Sequence, residues 1–281
     1  MTPAVLPDGN QAVALTVAGS DSGGNAGIEA DIRAFHSFGV HACVAVSALT
    51  AQNPSGVFAV DLPPPEFVAR QLQAVLGAYS VGAAKTGMLA SADIIRAVAR
   101  AFVARDAAPP LVVDPVMVAT SGAKLIADDA AAALKSDLLP LAAVATPNLP
   151  EAEALCGRLS LSAAEQAREG SAAHAHELAR KLFETYGCAA LVKGGHGSGS
   201  SAVDVLFDGR ESVEFSMPWV ANPISTHGTG CSLAAALAAE LALGRDLKSA
   251  VRGAKAYVHD AIEKSYLVGA GCGVLGFASR T

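Results

Sequence analysis

The stretch Pro223-Ile-Ser-Thr-His-Gly-Thr-Gly-Cys-Ser-Leu-Ala-Ala-Ala-Leu-Ala-Ala-Glu-Leu-Ala-Leu-Gly244 places a short glycine turn directly before a segment rich in alanine and leucine. These residues favour a helix, which we predict over 229–243. Backbone N–H groups and the positive end of that helix would then point to one place, where an anion binds. Cys231 lies at the same turn, so an anion-binding turn and a thiol occur together.

Cys231 has two interpretations at this point. A lone cysteine is more often a small buried apolar residue than a catalytic one. At a helix N-terminus, however, we expect the pKa of a thiol to fall below its ordinary value of about 8.5, whereas a bound polyphosphate would raise it. Phosphoryl transfer needs N–H donors for the phosphoryl oxygens and a base for the proton of the acceptor, and this turn offers both.

The rest of the chain alternates apolar strand-like runs with helical ones. Buried strands are predicted at 12–18, 42–49, 111–117, 142–148 and 188–196, and a weak strand plus turn at 82–89. A short strand or lid piece is predicted at 57–60, and polar-alternating strands at 202–207 and 211–216. Helices are predicted at 28–38, 63–79, 91–104, 127–138, 150–157, 162–186, 229–243 and 246–267. This alternation favours a three-layer α/β/α fold with a mainly parallel central sheet, to which the residues around 50–60 add a small β/loop lid.

In such a fold, ligands bind beyond the carboxyl ends of the parallel strands. Five predicted strands end in polar or glycine-rich turns, at 19–27, 85–88, 114–117, 146–148 and 193–196. Because the strands are parallel, we expect all five turns to open on the same rim of the sheet. The Gly/Ser loop at 197–201 follows the last of these turns.

Composition narrows the class of protein. We expect a single domain over 1–281, with a loose leader over 1–11 and a tail over 268–281, because 52% apolar residues can fill one large core. A net charge of −6 with scattered lysines and arginines offers no surface for nucleic acid or an anionic membrane. No apolar run reaches the roughly 18 residues needed to span a bilayer, and we expect no secretory leader, because residues 1–10 have no basic region and no long apolar one. Five widely spaced cysteines fit reduced thiols, so a cytoplasmic location is expected.

The polar residues at the rim allow a structural and a functional interpretation. Asn148 and Glu151 open a helix, which capping alone explains, but beside Asp114 their oxygens are of the kind that Mg²⁺ uses, mostly through water. Lys193 closes an apolar strand, where a charge is costly unless it meets water or an anion. Gln52 fits a turn residue, although its amide also matches the alternating donors and acceptors of an aminopyrimidine or pyridine edge.

Other candidates have structural explanations. We interpret His174 and His176 as surface residues of the 162–186 helix rather than as metal ligands, and Asp31 as a solvated helix residue. Met88 and Met117 are expected to be packing residues, with a flat ring as one partner.

Seven motifs occur in a fixed order along the chain. They are A-G-S-D-S-G-G-N-A-G-I-E-A-D (18–31), T-A-Q-N (50–53), K-T-G-M-L (85–89), D-P-V-M (114–117), T-P-N-L-P-E-A (146–152), V-K-G-G-H (192–196) and H-G-T-G-C (227–231). Together they resemble the hydroxymethylpyrimidine/phosphomethylpyrimidine kinases of thiamin biosynthesis, members of the ribokinase-like superfamily. The resemblance implies ATP-dependent phosphorylation of a pyrimidine alcohol and then of its monophosphate at one Mg²⁺-containing site, in a homodimer.

The resemblance also implies roles for individual residues. Cys231 would be the general base, and Gly228, Thr229 and Gly230 the anion hole. Nucleotide phosphates would be bound by Lys193, Asn148, Thr229 and Gly230, and Mg²⁺ would be held largely through water by Asp114 and Glu151. The residues of the pyrimidine pocket would be Gln52, Asp31, Met88, Gly19 and Val116.

Three features depart from the family pattern. Asn25 stands where the family usually has glycine, and we expect the turn to survive because asparagine tolerates a left-handed backbone. Glu29 replaces the usual glutamine, which puts one polar contact near the site in doubt. The tail over 268–277 keeps its glycines but lacks the usual proline and histidine residues.

Two other functions compete with this one. A pyridoxal-type vitamin kinase would share the fold and the anion turn and differ in how the ring is held, where Gln52 favours a pyrimidine. A non-catalytic ligand-binding or regulatory module is disfavoured because Cys231, Asn148, Glu151 and Lys193 are present together.

Overall fold

The computed structural model describes residues 3–53, 55–105, 107–117, 127–157, 172–194, 201–269 and 271–277. The strands are β1 (Val13–Asp21), β2 (His41–Asn53), β3 (Gly56–Asp61), β4 (Ala83–Thr86), β5 (Leu111–Val113), β6 (Val144–Ala145), β7 (Ala189–Val192), β8 (Ser201–Phe207), β9 (Ser212–Pro218), β10 (Tyr266–Val268) and β11 (Cys272–Val274). The helices are α1 (Gly27–Ser37), α2 (Pro65–Ala78), α3 (Ala92–Val103), α4 (Asp128–Ala133), α5 (Leu149–Leu155), α6 (Ala172–Tyr186), α7 (Thr229–Ala242) and α8 (Leu247–Glu263).

Nine strands form one mixed sheet in the order β3-β2-β1-β4-β5-β6-β7-β8-β9. The strands from β2 to β7 in this order are parallel, whereas β3, β8 and β9 pair antiparallel with their neighbours. The predicted mainly parallel α/β/α fold is therefore confirmed. The carboxyl ends of the parallel strands lie at one rim, which is where the predicted polar turns occur.

The sheet is buried on both faces. Along β1, Leu15 and Val17 pack into a core with α2, α3, α4, α5 and α6, whereas Ala14 packs on the opposite side with α1, α7 and α8. Successive side chains of a strand point to opposite faces of the sheet. Because both faces are buried here, the parallel strands are continuous apolar runs in the sequence.

Helix α7 is buried almost all round. Every residue from Ser232 to Ala239 has at most 5% of its surface exposed, and five of these eight are alanines. Small side chains let the helix lie close to the sheet, and an apolar surface on every side is typical of a fully buried helix. The opening stretch of the sequence therefore forms a central helix whose N-terminus is fixed at the rim.

Several boundaries differ from the predicted ones. The predicted strand over 42–49 is too short, and the interpretation of Gln52 as a turn residue is wrong, because β2 continues to Asn53 and pairs with β3. The predicted helix over 246–267 ends at Glu263, and the hairpin of β10 and β11 follows, with positive φ at Gly269 and Gly271. The predicted leader is not wholly loose, since Val5 and Gln11 form a bridge.

The sequence predicts His174 at the surface, but the structure buries it. It is 3% exposed, and its Nε2 lies 2.7 Å from Glu153 Oε1, so this pair joins α6 to α5. His176 lies 2.8 Å from Glu214 near the surface. The predictions for 162–171, His196, 197–200 and 278–281 lie outside the described residues. Within the described ranges, no helix combines the length and the apolarity needed to cross a membrane.

Candidate active site

A cavity of about 1000 Å³ lies at the rim formed by the carboxyl ends of the parallel strands. The predicted site residues that line it are Gly19, Gln52, Met88, Asp114, Val116, Asn148, Glu151, Lys193, Gly228, Thr229, Gly230 and Cys231. The parallel sheet thus brings together residues that are more than 200 positions apart in the sequence.

The turn that leads into α7, residues 228–230, is called the anion turn below, and its backbone requires glycine at position 228. This residue precedes α7 with a φ of +87°, and a Cβ at this position would lie 2.1 Å from the backbone oxygen of Asn25. Both facts require glycine. Because α7 begins at Thr229 and its first turn lines the cavity, the N–H groups of that turn are available to an anion.

The facing turn, residues 19–27, is organised by Asp21, which the sequence analysis missed. Its carboxylate accepts hydrogen bonds from the backbone N–H groups of Gly23, Asn25 and Ala26 at 2.8–2.9 Å. An aspartate between glycines is a turn signal that points to this role. The turn forms at Asn25, but without the left-handed backbone that asparagine tolerates, because among the described residues positive φ outside glycine is limited to Ala90 and Asn222.

Glu29 holds the beginning of the same turn. Its carboxylate accepts hydrogen bonds from Ser20 Oγ at 2.6 Å and from the backbone N–H of Asp21 at 2.8 Å. The glutamate that departs from the family pattern therefore has two partners within the turn. Both of its oxygens serve to fix the backbone next to the cavity.

Cys231 is half-buried in the first turn of α7, where the backbone N–H of Gly27 lowers the pKa of the thiol. Burial raises the pKa of the Cys231 thiol to about 11, although the positive charge of Lys85 opposes this and the Asp31 carboxylate adds to it. The expected decrease in this pKa is therefore wrong for the ligand-free protein. Loss of solvent around the thiol outweighs the helix terminus.

Asp31 does not touch the cavity, contrary to the sequence-based expectation. Its side chain is completely buried and bonds Lys85 Nζ at 2.9 and 3.0 Å and Thr16 Oγ1 at 2.6 Å. Lys85 was also missed, although a lysine inside an apolar strand is an informative signal. Burial opposes the charge of Lys85, but the Asp31 carboxylate outweighs it, and the pKa of Lys85 is raised. Asp31 therefore holds the ammonium group of Lys85 charged and in a fixed position, from which it lowers the pKa of Cys231.

Lys193 lies directly against the anion turn. Its Nζ is 3.0 Å from Asp114 Oδ1, and a Cβ on Gly230 would be 3.4 Å from this nitrogen. Burial opposes the charge of Lys193, yet the Asp114 and Glu151 carboxylates raise its pKa. A permanently charged ammonium thus stands beside the N-terminus of α7, where anion binding is favoured.

Asn148 and Glu151 form a reciprocal helix cap at the start of α5. The backbone N–H of Glu151 donates to Asn148 Oδ1, and that of Asn148 donates to Glu151 Oε2, both at 2.9 Å. Both residues also line the cavity, so the structural and the functional interpretations are compatible. Burial raises the pKa of the Glu151 carboxyl, which Lys193 opposes and Asp114 reinforces.

A further part of the cavity wall had not been assigned from the sequence. It comes from β8, β9 and α8 and includes Trp219, His259 and a buried pair in which Lys255 Nζ lies 2.7 Å from Asp204 Oδ2. Asp204 Oδ1 also accepts a hydrogen bond from the backbone N–H of Gly194, next to Lys193, at 2.9 Å. These residues lie outside the quoted motifs apart from Gly194, which explains why they were overlooked.

This sheet order, with a helix N-terminus and lysine side chains at the strand ends, defines an α/β kinase of the ribokinase-like class. The family model described as phosphomethylpyrimidine kinase matches residues 21–276, and the chain belongs to this family. It is therefore an enzyme, an ATP-dependent phosphotransferase.

Curated relatives agree with the family match. The chain is 47% identical to a hydroxymethylpyrimidine/phosphomethylpyrimidine kinase of Rhizobium meliloti, over 89% of this chain and 90% of the relative. It is 44% identical to the protein of that name from Synechococcus elongatus, over 94% and 96%. It also matches the thiamine biosynthesis bifunctional protein ThiED of Geobacter sulfurreducens at 44%, spanning 51% of that longer protein.

Solved structures include two kinds of vitamin kinase. An ADP complex of Bacillus subtilis pyridoxal kinase is 33% identical with a TM-score of 0.83, covering 95% of this chain and 97% of that one. A phosphomethylpyrimidine kinase from Clostridium difficile 630 is 33% identical with a TM-score of 0.74, covering 90% and 100%. The fold is therefore shared by kinases of both names.

We expect alkylation of Cys231 by iodoacetamide to accelerate up to about pH 10, because the thiolate is the reactive form and the pKa of this thiol is about 11. A short unstructured peptide with one internal cysteine, whose thiol has an ordinary pKa of about 8.5, serves as the control and should level off earlier. Mass spectrometry of the peptide containing Cys231 measures the rate. A plateau at or below that of the control would contradict the raised pKa.

Proposed function

We propose that this enzyme transfers the γ-phosphoryl group of ATP to 4-amino-5-hydroxymethyl-2-methylpyrimidine and then to the resulting monophosphate. The family match and the names of the relatives support this substrate class. The observation that carries the proposal is that three groups line one cavity. They are the thiol of Cys231, the anion turn Gly228–Gly230 and the amide of Gln52, which can hydrogen-bond to a ring. The expected homodimer stays a prediction.

In this proposal the anion turn binds the phosphoryl group during transfer. The N–H groups at the start of α7 donate to its oxygens, and Lys193 adds a positive charge next to Gly230. Asn148 lines the same side of the cavity and adds a polar contact to the nucleotide phosphates. Because these groups are held by the sheet and by buried ion pairs, they need not reorganise when charge develops.

Cys231 would accept the proton of the substrate hydroxyl. Since its pKa is about 11, the thiol carries its own proton in the ligand-free enzyme and must lose it before it can act as a base. The charge of Lys85 favours that loss by lowering the pKa of the thiol, against the effect of burial. A loose transition state demands little proton removal before the phosphoryl group moves.

The carboxylates beside Lys193 fit Mg²⁺ held largely through water. Asp114 Oδ2 would be 3.9 Å from a Cβ on Gly230, so it faces the anion turn, whereas the oxygens of Glu151 already accept backbone N–H bonds. Mg²⁺ prefers oxygen ligands and retains several waters, as such a donor set requires. A bound ion would neutralise part of the charge on the nucleotide phosphates.

The pyrimidine would lie against Gly19, Met88 and Val116, with its polar edge on Gln52. A Cβ on Gly19 would come 3.4 Å from Ala48 Cβ and 3.6 Å from Met88 Sδ, so the wall at this point is already close-packed. A flat ring fits such a surface. Asp31 supports this region from beneath, through Lys85, rather than by touching the ring.

The second candidate is phosphorylation of pyridoxal. Its support is the similarity to pyridoxal kinases, which reaches a TM-score of 0.83. The amide of Gln52 favours the aminopyrimidine, because this ring places a nitrogen that only accepts beside an amino group that donates.

Purified enzyme with ATP, Mg²⁺ and each alcohol in turn tests this choice. We expect phosphorus NMR to show the monophosphate and then the diphosphate of the hydroxymethylpyrimidine, with slower or no reaction of pyridoxal. Phosphorylation of pyridoxal alone would overturn the proposed substrate, and transfer to neither alcohol would overturn the proposal as a whole.

Cys231→Ala is expected to lower kcat by at least about 10²–10⁴-fold, the usual contribution of a general base, up to complete loss of turnover. Calorimetric titration should show that the affinities for ATP and for the pyrimidine are largely unchanged. Cys43→Ala is the matched control, because Cys43 lies near the amino end of β2, away from the rim. Unchanged turnover of Cys231→Ala would remove this residue from the mechanism.

A further inference from the structure

Two side-chain hydroxyl groups, those of Ser22 and Thr50, link the 19–27 turn to the end of β2 at Gln52. Ser22 Oγ donates to the backbone oxygen of Gln52 at 2.9 Å and accepts from its backbone N–H at 2.8 Å. Thr50 Oγ1 donates to the backbone oxygen of Ser20 at 2.9 Å and also contacts Gln52 Oε1 at 3.3 Å. Ser22 therefore holds the backbone of Gln52 and Thr50 contacts its side chain, although neither residue was given a role from the sequence.

Ser22 is needed because β1 ends before it reaches Gln52. The last pair between β1 and β2 is Asp21 with Thr50, and the pairing of β2 with β3 is irregular between Ala51 and Gln52. On the β1 side, the hydroxyl of Ser22 supplies the donor and the acceptor that another strand residue would have offered. This arrangement keeps the backbone of Gln52 in place beyond the end of the regular ladder.

Thr50 acts on the amide itself. The last torsion of a glutamine side chain has a broad, roughly two-fold profile, so the side chain alone does not select which end of its amide faces a ligand. The hydroxyl of Thr50 contacts the oxygen end. A threonine hydroxyl has one hydrogen, which here is shared between Ser20 and Gln52, so the selection is modest in strength.

We infer that Thr50, supported by Ser22, is a specificity-determining positioning residue that orients the amide of Gln52 for an amino-substituted pyrimidine edge. This inference rests on the proposed pyrimidine kinase function. A ring nitrogen only accepts and an amino group beside it only donates to an amide oxygen, so the amide fits this edge in one orientation. A ring that lacks the amino group makes no such demand and gains little from the contact.

The experiment compares two ligands, 4-amino-5-hydroxymethyl-2-methylpyrimidine and the same compound with hydrogen in place of the amino group. Thr50→Val removes the hydroxyl and keeps the shape of the side chain. We expect its Kd for the amino compound to rise about 3- to 10-fold, the equivalent of one net hydrogen bond, with less change for the other ligand. The kcat at saturation should change less than about twofold, since the reacting groups are untouched.

Thr50→Ser, which restores the hydroxyl, should recover the wild-type ratio of the two Kd values. Ser55→Ala is the control, because it removes a hydroxyl from the exposed tip of the same β2–β3 hairpin. Ser22→Ala, which releases the backbone of Gln52, should lower the discrimination in the same direction and serves if Thr50→Val does not fold.

An unchanged Kd ratio in Thr50→Val, or an equal loss for both ligands, would overturn the inference. If the wild-type enzyme phosphorylates the amino compound in that case, the proposed function stands and only the role of Thr50 falls. If the wild-type enzyme phosphorylates no pyrimidine alcohol, the proposed function and the inference fall together.

Discussion

The contact between two glycine turns is the constraint on which the rest of the site depends. The 19–27 turn comes from the start of the chain and the N-terminus of α7 from near its end, and they touch where Gly228 meets the carbonyl of Asn25, with no room for a Cβ. A Cβ on Gly27, which has a φ of +59°, would lie 2.3 Å from the backbone oxygen of Gly19, so glycine is also required within the 19–27 turn. The contact therefore places the thiol, the anion turn and the ring-binding residues within one cavity. A side chain at Gly228 would separate the two turns, whereas one at Gly27 would distort the 19–27 turn itself.

Buried lysine–aspartate pairs provide the charge around this contact. Lys85 with Asp31, Lys193 with Asp114, and Lys255 with Asp204 each join separate elements, and all three lysines line the cavity. Such pairs add little net stability, since desolvation offsets much of the attraction, whereas loss of one partner typically costs about 3–5 kcal/mol. Their presence at the rim is therefore better explained by function, because they hold ammonium groups charged and in fixed positions beside an anion.

The sequence was sufficient for the features that depend on local pattern and on the parallel sheet. Apolar runs predicted β1 and α7, and parallel strands imply that their polar ends meet at one rim, which predicted most of the cavity. Features that depend on distant partners were missed. Asp31 resembles a solvated helix residue until Lys85 is known to lie beside it, and 50–53 resemble a turn until β3 and Ser22 supply their partners. The direction of the pKa of Cys231 was also wrong, because the helix end is a local feature and burial is not.

Gly228→Ala tests the central claim, that the turn-to-turn contact is required for transfer, most directly. Gly244→Ala is its matched control, since Gly244 has a similar φ of +77° at a helix end but no neighbour within 4 Å of a Cβ. Both variants bear the strain of a left-handed alanine, of the order of 1 kcal/mol. The account predicts that kcat for the pyrimidine alcohol falls at least about 100-fold in Gly228→Ala and stays near wild type in Gly244→Ala. Equal kcat in both variants would contradict the account.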